Sequence, residues 1–518
     1  MKVSPSKLYH FLLNFSLILI GTTSSIYAQK KPNIIVFLVD DMGWQDTSLP
    51  FWTEKTPLNA RYHTPNMERL AKDGVKFTNA YATPVCTPTR VSMMTGMNAA
   101  HHKVTNWTSP QYQVSSDNAD EQFAPASWNY AGLSPKAGIP NTIHATPYPQ
   151  LLKDAGYFTI HVGKAHWASV GTPGVSPYNL GFIGNIAGHA AGHPQSYFAQ
   201  DYYGNKPGKN TMQSVPDLEE YYESDTFLTE ALTLEALKTL EAPIKNKQPF
   251  YLNLAHYAVH VPLQADSRFY QKYLDQGLDP QEAKYASLLE GMDKSLGDVM
   301  DYLKAKKVDQ NTIIIFMSDN GGLSLTPPRG GIAHTQNLPL KAGKGSVHEG
   351  GIREPMIVKW PGVVKPGSTA NQYVIIEDFF PTILEMAGIR NYKTIQELDG
   401  QSMLPVLKQP NYVNNDRSLI WHTPNKWIPN DGPGINYKSA IRKGNWKLIY
   451  NMRDGTKELY DLKADIGELE NKAAENPEKL KELSGLLAAQ LKKWNSPMPI
   501  VKSTGKPVAM PDQTTSMQ

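Results

Sequence analysis

The sequence predicts an α/β protein with a large, mostly parallel or mixed central sheet flanked by helices, and a smaller C-terminal subdomain of antiparallel strands plus one helix. Three observations lead to this fold class: unbroken apolar runs of strand length, helical patterns that alternate with them, and a change to short strands beyond residue 410. The chain has 518 residues, enough for a large core and more than one domain.

Two apolar runs give the strongest strand predictions, residues 33–39 (NIIVFLV) and 312–317 (TIIIFM). Continuous apolar runs of this length are typical of parallel strands that are covered on both faces. Residues 158–162, 250–255 and 356–360 are weaker strand candidates. Helical patterns lie between these runs, and this alternation favours a mostly parallel sheet.

Two of the predicted helices are marked by their apolar residues. Residues 379–387 end at Gly388, which is a suitable C-terminal cap. The other helix has an apolar stripe at three- and four-residue steps, formed by Leu289, Met292, Leu296, Met300 and Leu303. Such a stripe is the face that a helix buries against its neighbours.

The C-terminal part of the chain has shorter elements, with strand candidates at residues 418–421, 440–442, 447–450 and 458–462. The dipeptides Gly444-Asn445 and Asp454-Gly455 supply turns between some of them. A helix is then predicted from Pro477 to about Trp494, with Asn476 as its N-cap. The predicted domains are residues 29–410 and residues 411–518.

The N-terminus is typical of a signal peptide, predicted for residues 1–28. Lys2 and Lys7 supply positive charge, an apolar stretch follows, and a plausible cleavage site lies after Ala28. Because the stretch is too short to span a bilayer, we expect export to the periplasm or medium, without a stable membrane anchor. The formal net charge of +3 argues against a nucleic-acid partner.

Cys86 is the sole cysteine, so an exported chain of this kind has no internal disulfide. A lone cysteine is most often a small buried apolar residue. Its local sequence therefore has to decide whether Cys86 has a chemical role.

Acidic and amide side chains follow the two best strands. Asp40 and Asp41 come directly after the first strand, and Asp319 and Asn320 follow the 312–317 strand. Ligands of open α/β sheets bind beyond the carboxyl ends of the strands. An all-oxygen, anionic set suits Ca²⁺ or Mg²⁺ better than zinc. The alternative is that each pair forms an ordinary turn or helix cap.

The segment around the cysteine, residues 84–96, reads PVCTPTRVSMMTG. It resembles the signature of the sulfatase family, Cys-x-Pro-x-Arg followed by a helix ending in Thr-Gly. Further similar motifs are residues 31–44, the Gly-Lys-x-His of 163–166, the His-x-Pro of 260–262, the Ser-Asp-Asn-Gly of 318–321, and the glycine-rich run of 343–355. Thr89, where Ser is commoner, and Ala165, where Trp is common, depart from the pattern without removing a functional group.

The resemblance implies an alkaline-phosphatase-like fold and a formylglycine (3-oxoalanine) made by oxidation of Cys86. A hydrated aldehyde offers two hydroxyls, one to attack sulfur and one whose deprotonation expels sulfate and rebuilds the aldehyde. One Ca²⁺, or Mg²⁺, would bind the modified Cys86 together with Asp40, Asp41, Asp319 and Asn320. The implied catalytic residues are Cys86, Arg90, Lys164, His166, His260 and Lys344.

Each implied role follows from the chemistry of the side chain. Arg90, Lys164 and Lys344 neutralise charge in the transition state. His166 takes the proton that triggers sulfate release, and His260 protonates the leaving oxygen, assisted by Lys344. His256, four residues before His260, is interpreted as a hydrogen-bonded structural histidine.

The expected activity is removal of sulfate from fragments of a sulfated polysaccharide outside a bacterial cell. Candidate polysaccharides are ulvan, a carrageenan-type galactan and a glycosaminoglycan. A long irregular insertion, residues 98–146, is expected either to shape the substrate pocket or to pack its own small core; its notable side chains are His101, His102, Asn106, Trp107, Trp128 and Tyr130. A formylglycine-generating enzyme or an anaerobic sulfatase-maturating enzyme would be the maturation partner.

Two alternatives remain open from the sequence. One is a phosphodiester or phosphonate monoester hydrolase on the same fold. Such enzymes tend to have His after the aspartate of the second metal-binding turn, whereas Asn320 follows Asp319 here, which favours a sulfatase. The other is a non-catalytic glycan-binding homologue, which would follow if Cys86 is never oxidised.

Overall fold

The computed structural model describes residues 31–115, 120–325 and 329–513. The predicted signal peptide, residues 1–28, lies outside these residues. The described residues from Pro32 onward form one compact unit. Among the described helices, none combines the length and the apolar character needed to cross a bilayer.

The strands of the described residues are β1 (Asn33–Val39), β2 (Val75–Tyr81), β3 (Phe123–Ala124), β4 (Gly132–Ser134), β5 (Thr142–His144), β6 (Phe158–Gly163), β7 (Gly184–Ile186), β8 (Phe250–Ala255), β9 (Thr312–Ser318), β10 (Arg353–Lys359), β11 (Ser368–Ala370), β12 (Val374–Ile375), β13 (Ser418–Thr423), β14 (Lys438–Lys443), β15 (Trp446–Asn451), β16 (Lys457–Asp461), β17 (Ile500–Val501) and β18 (Lys506–Pro507). The α-helices are α1 (Pro57–Arg61), α2 (Pro65–Asp73), α3 (Cys86–Thr95), α4 (Ala99–His102), α5 (Tyr148–Asp154), α6 (Leu228–Lys245), α7 (Tyr270–Asp275), α8 (Pro280–Ala305), α9 (Glu349–Ile352), α10 (Phe379–Met386), α11 (Leu404–Lys408) and α12 (Pro477–Lys493).

The central sheet confirms the predicted α/β class. Its strand order is β11-β2-β10-β9-β1-β8-β6-β7, with β12 also paired to β2. β1 pairs in parallel with both β8 and β9, whereas β10 runs antiparallel to β9 and β2. The two strongest sequence predictions are therefore adjacent strands at the middle of a mixed sheet.

Both faces of the sheet are covered, which explains why β1 is apolar at every position after Asn33. Ile34, Val36 and Leu38 belong to a core that includes α3, α5 and α10. The alternate residues Ile35 and Phe37 belong to a second core that includes α2, α6 and α8. The period-two alternation of a strand thus sends successive apolar side chains into two separate cores.

The C-terminal sheet β13-β14-β15-β16 is antiparallel throughout, as predicted, and α12 packs on it through Leu483, Leu487 and Leu491. Asn476 is the N-cap residue of α12, as predicted, and its carbonyl accepts the hydrogen bond of the Leu480 N–H. Its side chain, however, makes no capping hydrogen bond and instead donates to the carbonyl of Lys472. The predicted division at residue 410 stays a prediction.

A buried ionic cluster joins this sheet to the central one. Lys447 of β15 lies 2.8 Å from Glu349 and 2.9 Å from Glu468, and all three side chains are fully buried. Glu349 also accepts a 2.6 Å hydrogen bond from Arg353 of β10. Burial raises the pKa of Glu349, but Lys447 and Arg353 outweigh it and hold that pKa well below its usual range. Both carboxylates therefore stay charged and depend on the Lys447 ammonium.

We predict that Lys447→Met lowers the free energy of unfolding by roughly 3–5 kcal/mol, because it removes the ammonium that two buried carboxylates share. Urea unfolding followed by circular dichroism would measure the loss. Lys443→Met is the matched control on β14, since its exposed pair with Glu482 should contribute less than about 1 kcal/mol. Equal stability of the two variants would contradict the prediction.

Candidate active site

The parallel pairing of β1 with β9 brings the four metal-ligand candidates together. Val39 lies opposite Ser318, so Asp40-Asp41 and Asp319-Asn320 leave the sheet side by side. The Asn320 amide donates to Asp41 Oδ1 at 2.8 Å, and the backbone N–H of Asp41 donates to Asp319 Oδ1 at 3.4 Å. All four side chains are buried. The expectation that the two strand ends converge is therefore met.

Three buried cations each pair with one of these carboxylates. Lys164 Nζ lies 2.6 Å from Asp40 Oδ2, and Lys344 Nζ lies 2.6 Å from Asp41 Oδ1. Arg90 contacts Asp319 Oδ2 through two nitrogens, each at 2.8 Å. The cations come from three separate parts of the chain, and each of them is a predicted site residue.

Burial and the neighbouring charges shift the pKa values of the two adjacent aspartates in opposite directions. Burial and the adjacent Asp319 raise the pKa of Asp40 well above its usual range, despite Lys164. Burial also raises the pKa of Asp41, but Lys344 and His260 outweigh it and hold that pKa well below its usual range. These shifts arise because several carboxylates are buried close together and the neighbouring cations offset their charge to different degrees.

Three oxygens of the cluster fit a bound cation. Asp40 Oδ1, Asp41 Oδ2 and Asn320 Oδ1 are buried and have no hydrogen-bond partner within the described structure. Ligand atoms of Asp40, Asp41 and His260 also lie within 4.8 Å of one another. Buried oxygens without partners are costly unless an ion or water satisfies them. Oxygen donors of this charge suit Ca²⁺ or Mg²⁺.

Cys86 begins helix α3 and faces His166. Its Sγ lies 3.4 Å from His166 Nδ1, and His166 Nε2 donates to the carbonyl of Thr108 at 2.9 Å. This bond leaves the Nδ1 lone pair of a neutral His166 directed at Cys86. Burial lowers the pKa of His166 well below its usual range and raises the pKa of the Cys86 thiol. The thiol is therefore protonated at neutral pH and is not primed as a nucleophile.

Two residues of the cluster have left-handed backbones. The φ angles of Asp41 and His166 are 62° and 51°. For residues other than glycine this conformation costs on the order of 1–3 kcal/mol, and such strain concentrates at functional sites. In both cases the strained residue carries a side chain that the site uses.

Helix α3 is fully buried, including Arg90 and Thr89. The Thr89 hydroxyl bonds to the backbone N–H of Thr83 at 2.9 Å and to its hydroxyl at 2.8 Å. Serine could make the same bonds, which explains why the departure at this position is tolerated. The N-terminus of α3, where Cys86 lies, faces the pocket with the positive end of the helix dipole.

A cavity of about 390 Å³ opens above Cys86. The predicted site residues on its wall are Asp41, Cys86, His166, His260 and Lys344. Five further predicted residues are not among those that line the cavity: Arg90 pairs with Asp319, Lys164 pairs with Asp40, and Asn320 donates to Asp41 on the wall. The structure thus brings all ten predicted residues into one connected cluster, five of them facing the cavity.

The histidines differ in their surroundings. His260 lies on the cavity wall, with Nδ1 bonded to the carbonyl of Val261 at 2.9 Å and Nε2 3.6 Å from Asp41 Oδ2. His256 bonds instead to the hydroxyl of Ser295 at 2.8 Å and is not among the residues lining the cavity. This position agrees with the structural role expected for His256.

The insertion contributes less to the pocket than its composition suggested. Trp107 lines the cavity, whereas Asn106 and Trp128 are buried and His102 bonds to Ser92. His101 pairs with Asp399 at 2.9 Å. The two histidines therefore contact residues outside the insertion, which matches neither a role in lining the pocket nor a small core of the insertion's own.

Sequence reasoning missed several cavity residues, among them His193, Gln213 and Trp427. They lie in irregular segments without a recognisable motif. His193 stacks on His260 with ring centroids 5.7 Å apart. Only the folded chain reveals that these segments reach the cavity.

Comparisons with known proteins agree with this geometry. A family model described as Sulfatase matches residues 32–389, and one described as N-sulphoglucosamine sulphohydrolase, C-terminal, matches residues 343–496. A Formosa agariphila protein named Sulfatase is 30% identical over 522 residues, covering 91% of this chain and 90% of its own. Human N-acetylgalactosamine-6-sulfatase is 30% identical over 406 residues, covering 76% of this chain and 69% of its own.

Among solved structures, the crystal structure of Ps i-CgsB in complex with k-i-k-neocarrahexaose superposes with a TM-score of 0.70 at 27% identity. The match covers 90% of this chain and 92% of that chain. The chain therefore belongs to the sulfatase family, within the alkaline-phosphatase-like superfamily, and is a sulfuric ester hydrolase.

Proposed function

We propose that this sulfatase removes sulfate from a sulfated carbohydrate by means of a formylglycine formed from Cys86. The observation that carries the proposal is the position of Cys86 at the start of a buried helix, on the wall of a cavity that also presents His166, His260 and Lys344. A buried thiol with a raised pKa is a poor nucleophile, so a hydrated aldehyde at this position supplies the attacking and releasing hydroxyls.

Two findings support a carbohydrate as the substrate. The relatives include human N-acetylgalactosamine-6-sulfatase, and a similar structure holds k-i-k-neocarrahexaose. The cavity of about 390 Å³ is of the size that ligand sites have, and its walls combine aromatic rings with a few polar groups. Apolar ring faces and polar rims are the two surfaces that a sugar offers.

The basic residues stabilise the sulfate during its transfer. Lys344 is on the cavity wall and faces the sulfate, while Arg90 and Lys164 lie behind it and offset the aspartates. Preorganised buried cations stabilise developing negative charge without reorganising during the reaction. Lys344 keeps its proton, because Asp41 raises its pKa even though burial lowers it.

A divalent cation would be held by Asp40, Asp41, Asp319 and Asn320, together with the modified Cys86. When bound, it supplies charge neutralisation at the sulfate oxygens and lowers the pKa of the attacking hydroxyl. The three buried oxygens without partners are the support for this part of the proposal.

The two cavity histidines would transfer protons in two different steps of the reaction. His166 directs its Nδ1 at Cys86 and would take the proton whose loss releases sulfate. Burial lowers the pKa of both rings, so His166 rests neutral with its Nδ1 lone pair directed at Cys86. Because the Nδ1–H of His260 is bonded to the carbonyl of Val261, its Nε2 carries a proton only when the ring is doubly protonated. That form, which the neighbouring Asp41 carboxylate favours, would donate from Nε2 to the departing sugar oxygen.

The cellular setting is also proposed. The N-terminal sequence favours export from a bacterial cell, with oxidation of Cys86 by a formylglycine-generating or anaerobic sulfatase-maturating enzyme. The substrate classes that we propose to test first are carrageenan-type galactans, ulvan and glycosaminoglycan fragments.

We predict that the protein, made in a host with a maturation enzyme, hydrolyses an aryl sulfate and at least one sulfated oligosaccharide. Intact mass should show Cys86 changed by loss of H₂S and gain of one oxygen. Cys86→Ala should remove turnover, because the attacking hydroxyl is lost. Faster hydrolysis of an aryl phosphodiester would favour the phosphodiesterase alternative, and an unmodified thiol with glycan binding alone would favour a binding protein.

Cation binding predicts a gain in thermal stability. Ca²⁺ or Mg²⁺ added to protein treated with chelator should raise the melting temperature, since a ligand at 100 times its Kd stabilises by about 2.7 kcal/mol. Asp40→Asn should lose most of this rise. Asp293→Asn, a buried carboxylate that caps the start of α2, should keep it. Equal shifts in both variants would place the cation elsewhere.

The role of His260 predicts a dependence on the leaving group. His260→Ala should lower kcat on a sugar sulfate by about 10²–10⁴-fold, because the sugar alkoxide needs a proton to depart. A 4-nitrophenyl sulfate, whose leaving group is stable as an anion, should lose far less. Equal losses on both substrates, measured by sulfate release, would count against His260 as the proton donor.

A further inference from the structure

Two tryptophans that the catalytic chemistry does not use lie on the cavity wall. Trp107 comes from the insertion after α4, and Trp427 comes from the segment between β13 and β14. Both are partly exposed, whereas Trp44, Trp167 and Trp421 are fully buried in the core. Exposed indole faces on the wall of an active-site cavity are available to a substrate.

Trp427 lies beside the sulfate end of the cavity. A Cβ atom at Gly345, next to Lys344, would come within 2.1 Å of the Trp427 ring. Gly345 also has a φ of 87°, a conformation that favours glycine. The indole therefore packs directly on the backbone of the residue that follows the sulfate-facing lysine.

The loop that carries Trp427 is held by one buried side chain. Asn436 Oδ1 accepts a 2.7 Å hydrogen bond from the Trp427 backbone N–H, and its amide donates to the carbonyl of Ile428 at 3.0 Å. Asn436 is 1% exposed and has a φ of 57°. The indole is thus fixed before substrate arrives, which limits the entropy lost on binding.

The two tryptophan segments are also tied to each other. The Thr105 hydroxyl donates to Asn425 Oδ1 at 2.5 Å, and these residues precede Trp107 and Trp427 by two positions each. Beyond Trp107, the N–H of Thr108 donates to the hydroxyl of Thr87, the neighbour of Cys86. The tryptophan pair is therefore positioned relative to the catalytic helix.

The charge of the cavity wall limits how many sulfate groups a bound sugar ring can carry. Of the described residues that line it, Lys344 is the single lysine or arginine, and it is paired with Asp41 at the sulfate end. The other described residues on the wall include no further lysine or arginine. A second sulfate on the same ring would therefore find no second such cation on the wall to pair with.

We propose that Trp427, together with Trp107, forms an aromatic platform that binds the apolar face of one sugar ring carrying a single sulfate. The inference rests on the proposed carbohydrate substrate and names the part of the ring that the cavity recognises. Trp427 and Trp107 are substrate-binding residues, whereas Asn436 and Thr105 position them. Specificity for the ring comes from irregular segments outside the sulfate-binding cluster.

Steady-state kinetics of Trp427→Ala test the platform. The substrates are galactose and N-acetylgalactosamine bearing one sulfate, their disulfated counterparts, and a short alkyl sulfate that has no ring. For the monosulfated sugar that the wild type cleaves best, kcat/KM should fall roughly tenfold or more through KM. The alkyl sulfate should change less than threefold, and Trp427→Phe should keep most activity. The wild type should prefer the monosulfated sugar to its disulfated counterpart by at least tenfold.

Two further variants separate binding from folding. Trp52→Ala removes another partly exposed tryptophan, one that lines a different cavity, and should leave all substrates unaffected. Thr105→Val keeps the side-chain shape but removes the tie to Asn425, and should raise KM for the sugar with kcat unchanged. Equal sugar kinetics in Trp427→Ala and the wild type, or preference for a disulfated ring, would overturn the inference. Wild-type activity on alkyl sulfate with none on sugars would instead overturn the proposed function.

Discussion

The parallel pairing of β1 with β9 is the constraint on which the site depends. The register of Val39 with Ser318 puts Asp40, Asp41 and Asp319 at one edge of the sheet. Three carboxylates buried together repel one another and lose their hydration, so the arrangement persists only if positive charge is delivered to each. Arg90, Lys164 and Lys344 do this, one to each aspartate. These cations come from three separate segments of the chain. The segments therefore have to fold against the end of the central sheet before the carboxylates are neutralised.

The ion pairs do not satisfy the carboxylates completely. Each pairing uses one oxygen of Asp40 and of Asp41, and the opposite oxygens remain without a partner in the described structure. The strained backbone of Asp41 holds this geometry. Next to it, Asp46 accepts bonds from the N–H of Gly43 and from Arg329, which fixes the turn that follows the aspartates. The protein therefore keeps two buried carboxylate oxygens without hydrogen-bond partners, which supports the proposed cation site.

The sequence was sufficient for the parts of the molecule built from regular elements. Residues 34–39 and 313–317 are apolar at every position because each face of the sheet meets its own core, and such runs can be recognised without a structure. The motif residues could likewise be identified, although Lys344, His166 and His260 lie in irregular segments that the fold brings to the strand ends. Asn476 is the N-cap residue as predicted, but its amide bonds to a preceding carbonyl, a partner that local sequence does not distinguish from the helix start. Trp427, His193 and Gln213 could not be predicted, since tertiary contacts alone bring their segments to the cavity.

This difference in predictability follows from how two parts of the cavity wall are built. The charged part consists of side chains at and next to the strand ends and at the start of α3, where displacement by one position would break a buried ion pair. The remaining part consists of loop residues, held by neutral hydrogen bonds such as those of Asn436 to Trp427 and of Thr105 to Asn425. Loop side chains can change without uncovering a buried charge, so they can alter which ring is bound while the sulfate chemistry stays intact. Family membership therefore identifies the reaction from the charged residues, whereas the substrate has to be inferred from the loop residues.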